Sequence, residues 1–273
     1  MRRIIFMGPL LFLALAAATR AEEATLSNGG ELPRLGASKT SRPASLVPNI
    51  KDFGFSLDFS PELGQVAANF QNGLEYTPAL ESTIIYFDSN SKAASQPQAG
   101  GYYRKILGKT DKNQTVAQDF YQDSQQPQTS PFIVLAGKEK IFSGRGVDGR
   151  VIAYDRRGAV SHIANYHKGS PGQLALVQDG KIIAYQSPQS RRQTLILDEQ
   201  GQPSVLLDPE QQRIFYFHPN GQAMAVLDSN GLVPKQSWDR NGQLTDFNQL
   251  DKGATAACER RMKEVAAHLS ANN

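Results

Sequence analysis

The chain has 273 residues, 40% hydrophobic and 20% charged, with one cysteine. That length suits one large domain or two modest ones, and the composition excludes a wholly disordered chain. Beyond the N-terminus there is no apolar run of about 18 residues, so a spanning helix in the interior is also excluded.

The N-terminus reads as a secretory signal over residues 1–21. Arg2 and Arg3 form a basic start, Ile4–Ala18 is apolar, and small residues around Ala16–Ala18 and Ala21 offer cleavage sites. This places the protein in a secreted or periplasmic compartment. A membrane attachment is expected only if the segment stays uncleaved. The segment carries three arginines and no acid. Removing them from the 29 basic residues leaves 26, equal to the 26 acidic residues. The basic pI therefore belongs to the targeting segment, and nucleic acid, which needs a concentrated cationic surface, is not an expected partner. Cys258 has no second cysteine to pair with, so no intrachain disulfide staples the fold.

Residues 22–48 lack bulk and periodicity and read as a disordered linker, because too little apolar surface offsets the cost of ordering the backbone. A β domain is expected over 49–250, irregular over 49–146 and regular from 147. Phe53-Gly54-Phe55-Ser56-Leu57-Asp58-Phe59 alternates like a half-buried strand. Pro61–Gly64 breaks it, and Val66–Phe70 could form a helical turn. Thr83–Phe87, Tyr102–Leu107, Thr115–Tyr121 and Phe132–Leu135 are further strands, rich in β-branched and aromatic residues. Residues 92–100 and Gln122–Ser130 read as loops.

From Val147 short apolar runs alternate with turn signals, the last five about ten residues apart. The phrase recurs as Leu197-Asp198-Glu199-Gln200-Gly201, Phe217-His218-Pro219-Asn220-Gly221, Leu227-Asp228-Ser229-Asn230-Gly231 and Trp238-Asp239-Arg240-Asn241-Gly242. Asp88-Ser89-Asn90-Ser91 is an earlier variant with Ser in place of Gly. Asp can accept from N–H groups just beyond it, and Asn and Gly tolerate positive φ, so the phrase instructs hairpin turns. Short strands at this spacing predict an antiparallel all-β meander of repeated hairpins, as an extended or curled sheet. Runs such as Ile214–Phe217 are apolar on both alternate faces, which predicts a sheet covered on both sides.

Tyr154-Asp155-Arg156-Arg157-Gly158, followed by Tyr166-His167-Lys168-Gly169, resembles the aromatic–turn–Gly pattern of MORN-type repeats. Trp238-Asp239-Arg240-Asn241-Gly242-Gln243-Leu244 resembles the YD-type repeat of RHS proteins. The resemblance spans roughly residues 147–247, although the Gly-Glu/Lys-Trp/Tyr core of MORN units is mostly missing. It implies stacked hairpins used for structure or partner contact, and no reaction.

Residues 251–273 close the chain with an amphipathic helix, regular over Ala254–Leu269. Cys258, Met262, Val265 and Leu269 form one apolar stripe. Asp251 and Gly253 mark a break before it, and the stripe places Cys258 as a buried, inert thiol.

No chemistry-bearing motif appears. His162 and His167, five apart, face opposite sides of a regular strand, a poor arrangement for one metal. His218 takes the Asp position of a turn. There is no metal-binding, phosphate-binding or nucleophile-elbow pattern, so no catalytic residue, metal or cofactor is expected. Aromatics near strand ends, Tyr154, Tyr166, Tyr185, Phe217 and Trp238, are the candidate binding residues, either as a contact ladder or as core packing. The expectation is an exported, non-enzymatic β-repeat protein with a structural role or a role in binding a protein or glycan of the cell envelope. The alternative is an exported hydrolase of an envelope or extracellular polymer, using two carboxylates that the fold brings together.

Overall fold

A computed structural model describes residues 47–55, 74–187, 193–230 and 232–271. The expected signal segment, the linker through residue 46, the helical turn at 66–70 and the turn at 188–190 lie outside the described residues. The described chain is mostly antiparallel β-sheet with one C-terminal helix, as the hairpin pattern predicts. It divides into two compact units, one built on Phe55–Thr194 and one on Leu195–His268 together with the segment ending at Gly54.

Unit 1 contains β1 (Thr77–Pro78), β2 (Ile84–Phe87), β3 (Ala93–Ala94), β4 (Tyr102–Lys109), β5 (Thr115–Tyr121), β6 (Phe132–Val134), β7 (Val147–Tyr154), β8 (Val160–His167), β9 (Ser170–Gln178) and β10 (Lys181–Gln186). From β4 to β10 each strand pairs with the next in sequence, while β1 and β2 both pair with β4 and β3 pairs with β2. Residues 92–100 are therefore not all loop, since Ala93 and Ala94 pair with Phe87 and Tyr86.

Unit 2 is a ladder of β11 (Thr194–Leu197), β12 (Pro203–Asp208), β13 (Arg213–Phe217), β14 (Ala223–Asp228) and β15 (Val233–Ser237), beside helix α1 (Lys252–Ala271). Ile214, Phe215, Tyr216 and Phe217 are all buried, so both faces of β13 are covered, as its unbroken apolar run requires. The segment before Gly54 supplies part of that cover. Pro48 O accepts from Ala223 N and Ile50 N donates to Gly221 O, and Phe53 meets Phe215 edge-on at 5.0 Å. Phe53 is thus not the start of a strand. Ile50–Phe53 is a 3₁₀ turn capped by Asn49, and Gly54 leaves it at φ 69°.

The helix stripe is buried along its length: Cys258, Met262, Val265 and Leu269. Asp251 caps the helix, with Oδ1 accepting from Gly253 N and Ala254 N, so Gly253 lies in the first turn rather than in a break. Cys258 sits over Ser204, 3.7 Å from its hydroxyl and 3.6 Å from its carbonyl, and burial pushes the thiol pKa up. Arg261 Nε donates to Leu197 O, which ties the helix to β11. Tyr216 is wholly buried in this unit, and its hydroxyl has no hydrogen-bond partner among the described residues. Tyr216→Phe should raise the stability of unit 2 by about 1 kcal/mol in urea unfolding, because it deletes an unpaired buried hydroxyl without opening a cavity.

The recurring phrase builds one turn at several places. At Asp88, Asp155, Asp198 and Asp239, the Asp N–H donates to the carbonyl four residues on, and its own carbonyl accepts from the residue three on. One Asp oxygen accepts from the N–H groups two and four residues on, for example 2.8 and 2.9 Å at Asp239. The fourth residue is left-handed, Ser91 at φ 67° and Gly242 at φ 76°, which is why Gly is favoured and Ser tolerated. The turns at Asp208 and Asp228 differ, with Gln212 (φ 52°) and Leu232 (φ 55°) in the left-handed region, one place later. Lys168-Gly169 and Asp179-Gly180 make two-residue turns with both φ positive, the geometry that follows strand twist most closely.

β15 ends the unit 2 ladder. Val233, Pro234, Lys235 and Gln236 are exposed, and Lys235 pairs with Asp228 of β14 at 3.3 Å. Beyond it Trp238 bridges to Leu244, and Thr245 N donates to Ser237 O.

Candidate functional site

The five expected aromatics do not form a surface ladder. Tyr154, Tyr185, Phe217 and Trp238 are buried, and only Tyr166 is partly exposed. Tyr154 O accepts from the Tyr121 hydroxyl, Tyr185 lies opposite Ala175, and Phe217 stacks on Phe215 and meets Phe53. The Tyr166 ring fills the place that a Cβ on Gly144 would take. An apolar residue before a hairpin turn points inward here because the sheet is covered, so position beside a turn does not signal exposure.

Two other arrangements stand out, and both lie in unit 1 on the same pair of strands. The first is internal. Arg104 on β4 faces Asp119 on β5 in the strand register. Both are buried, and they make a bidentate pair, Nε–Oδ1 2.7 Å and Nη2–Oδ2 2.8 Å. Arg104 Nη1 donates to Glu139 O at 2.9 Å and Ile141 O at 3.1 Å, so these contacts engage four of the five guanidinium N–H groups. Its guanidinium carbon is 5.4, 5.1 and 5.8 Å from the ring centres of Phe87, Phe132 and Phe142. Charge, hydrogen bonds and aromatic faces all serve one cation, the combination a desolvated guanidinium needs. Burial pushes the Asp119 carboxyl upward, and the Arg104 charge and hydrogen bonds pull it back.

The pair borders a cavity in which about 30 Å³ is open to the centre of a water-sized sphere, space on the order of one or two waters. Gln128, Thr129, Ser143, His162 and Tyr166 add its polar lining, and Asp119 is the one carboxylate among the lining residues. His162 enters from β8, and its Nδ1 lies 3.1 Å from Ser161 Oγ. Although the residue as a whole is only partly buried, the surroundings desolvate the imidazole and push its pKa down to about 4. His167, on the same strand, is exposed. Among the described residues no group of three His, Cys, Asp or Glu is placed to hold a metal ion.

The His162 shift has a sign that can be measured. The folded state keeps the imidazole neutral, while the unfolded chain protonates near its ordinary 6.5. Stability is therefore full above about pH 6.5 and falls as the pH drops toward 4. The loss should reach roughly 2–3 kcal/mol of unit 1 stability across that window. Urea midpoints at pH 7.5, 5.5 and 4.5 measure it, and His162→Gln should flatten this part of the slope.

The second arrangement is on the opposite face of the same strands, because neighbours in a strand alternate. Tyr86, Tyr103 and Phe120 lie directly across from one another on β2, β4 and β5, and Phe120 bridges to Pro127. All four are partly exposed. Tyr103 and Phe120 are stacked, with centroids 5.0 Å apart and planes 9° from parallel. Burial, then the nearby Tyr86 hydroxyl, pushes the Tyr103 pKa up. In the next row Ile84, Lys105 and Gln118 stand side by side, with Ile84 45% exposed. A contiguous row of aromatics partly open to water, continued by exposed Ile84, is the kind of patch that can serve as a contact surface.

Neither arrangement is announced by a motif. A clue to the first is opposite charges inside two apolar strands flanking one turn, since the turn at Thr110–Gln114 and the bulge between Ile106 and Gly108 together set the register that joins them. His218 also escaped a turn-only reading. Its Nε2 lies 3.2 Å from Trp238 O, and since a carbonyl only accepts, Nε2 carries the proton. No model of a known protein family matches the chain, and no curated protein matches it.

Proposed function

We propose that this is an exported, non-enzymatic β-repeat protein that binds a protein partner of the cell envelope through the Tyr86–Tyr103–Phe120–Pro127 row. The half-exposed row itself carries the reading. Aromatic side chains give large contact area with few rotors to freeze. The stacking of Tyr103 on Phe120 turns one face of each ring toward the other. A sugar platform needs open ring faces, and the loss of one face from each ring favours a peptide surface over a glycan. Lys105, the one charged residue in the two rows, adds a preference for an acidic residue beside the partner's apolar contact.

A catalytic role for the cavity draws less support. Its one carboxylate is held by Arg104, and a glycosidase needs a second about 5–10 Å away. No helix among the described residues is long and apolar enough to cross a membrane. Export rests on the N-terminal sequence alone, and N-terminal sequencing of the secreted chain tests it.

The binding test uses sedimentation at pH 7.5 with envelope fragments of the producing cell, intact or stripped by protease. Wild-type chain should sediment with intact fragments and remain in solution with stripped ones, and Tyr103→Ser/Phe120→Ser should remain in solution with both. Equal retention of the variant removes the row as the site. Retention on stripped fragments replaces the protein partner with a glycan.

A further inference from the structure

We infer that the partner of the Tyr86–Tyr103–Phe120–Pro127 row is an acidic protein, whose carboxylates settle on a basic end of unit 1 that continues the row along β4. This deepens the reading of the row as a partner surface and rests on it. The basic end is a product of topology, because in an antiparallel meander every second connection returns to the same end of the sheet. The β4–β5, β6–β7 and β8–β9 connections share one end, and the β5–β6, β7–β8 and β9–β10 connections share the other.

Lys109 and Lys112, Lys138 and Arg145, and Lys168 come from the first set, and all five are exposed. Close backbone approaches hold two of these connections together. Gly169 N donates to Val147 O, and Arg145 Cα lies 3.3 Å from the place that a Cβ on Gly169 would take. Lys138 Cβ lies 3.3 Å from the same place on Gly146. Glu139 and Lys140 lie off this end, because Glu139 O and Ile141 O turn down to Arg104, midway along β4. The acids at this end are Asp111, Asp148 and Glu75, the last just before β1. The Asp148 carboxylate turns back to accept from Lys168 N at 2.8 Å. Five cations thus stand against three acids, and none of the five makes an ion pair among the described residues. The opposite end is balanced, with Asp88, Asp123, Asp155 and Asp179 against Lys92, Arg156, Arg157 and Lys181. It also holds the exposed pairs Arg156–Asp123 and Arg157–Asp155.

Lys and Arg stems reach past the shorter Asp side chains, so the outermost charge of the basic end is positive. The cations spread from β4 to β9, roughly 24 Å at one strand spacing each, too far apart for a single phosphate but matched to a protein surface. Lys105 lies on the same side of β4 as Tyr103 and joins the row to Lys109. An apolar anchor beside a field of unpaired positive charge selects a partner with the opposite field.

Amide NMR of the full chain, titrated with poly-L-glutamate at pH 7.5 and low salt, tests the acidic preference without the partner. Shifts should concentrate at the five cations of the basic end and disappear at about 0.5 M salt. Against intact envelope fragments, Lys112→Gln/Lys168→Gln should bind about five-fold more weakly than wild type. The charge-matched Lys92→Gln/Lys181→Gln, at the balanced end, should bind like wild type. Absent or evenly spread shifts, or equal binding by the two variants, overturns the proposal. The row itself is read separately through Tyr103→Ser/Phe120→Ser. That variant can keep its binding while the glutamate shifts stand, and the glutamate shifts can fail while the row still binds.

Discussion

Replacing Arg104 with Met should destabilise unit 1 by about 3–5 kcal/mol, because it leaves the Asp119 carboxyl buried without its partner. A domain of ordinary stability has about 5–15 kcal/mol in hand, so the change is close to unfolding the unit. The loss is not the net worth of the ion pair. Desolvating two charges consumes much of their attraction, and a buried pair often does no better than apolar side chains of the same size. Arg104→Met/Asp119→Leu should accordingly recover most of the loss, with Phe87, Phe132 and Phe142 offering apolar surroundings. Urea unfolding of the wild type, both single variants and the double variant closes the cycle. A double variant as unstable as Arg104→Met would show that the guanidinium's bonds to Glu139 O and Ile141 O, rather than the charge pair, hold the unit.

In unit 2, Trp238→Ala should cost about 3–5 kcal/mol and Leu244→Ala less than about 0.5 kcal/mol, although the two residues bridge each other. Trp238 is 2% exposed and Leu244 is 52% exposed, so only the first deletion removes apolar contacts and leaves a cavity. Trp238 also offers its carbonyl to His218 and its N–H to Met224 O, and both backbone bonds survive the substitution in the native fold. The measured cost is therefore mainly ring burial. Thermal or urea unfolding followed by far-UV circular dichroism checks both variants. A small effect of Trp238→Ala would mean that the turn after it, rather than the ring, positions this end of the unit.

The hairpin order was legible because turn chemistry and strand periodicity are local. Asp155, Asp198 and Asp239 accept from the N–H groups beyond them whatever lies elsewhere, and Thr115–Tyr121 forms a strand over the full expected span. The stripe of α1 was legible for the same reason. Exposure was not, because it depends on what covers a face. Phe217 and Trp238 sit at strand ends like surface residues, yet Phe53 reaches Phe217 from far along the chain, and Trp238 is covered too. Phe53 itself reads as part of an alternating strand, but Asn49 caps a 3₁₀ turn there and Gly221 O holds it in place. The Arg104–Asp119 pair was hidden for a related reason. The bulge between Ile106 and Gly108 shifts the pairing by one residue, and without it the two charges would not meet.

The outer strand of unit 2 bears on how the protein behaves at high concentration. A free strand margin can template a further strand from another copy, and a ladder of successive hairpins is well suited to seed fibres. β15 carries Pro234, which has no N–H to give, and Lys235, whose charge would be trapped by an incoming chain. Residues Leu244 and Thr245 occupy the margin beyond Ser237. The outer strand of the ladder thus resists a further partner, so the hairpins can stack within one molecule without this margin inviting filaments between molecules.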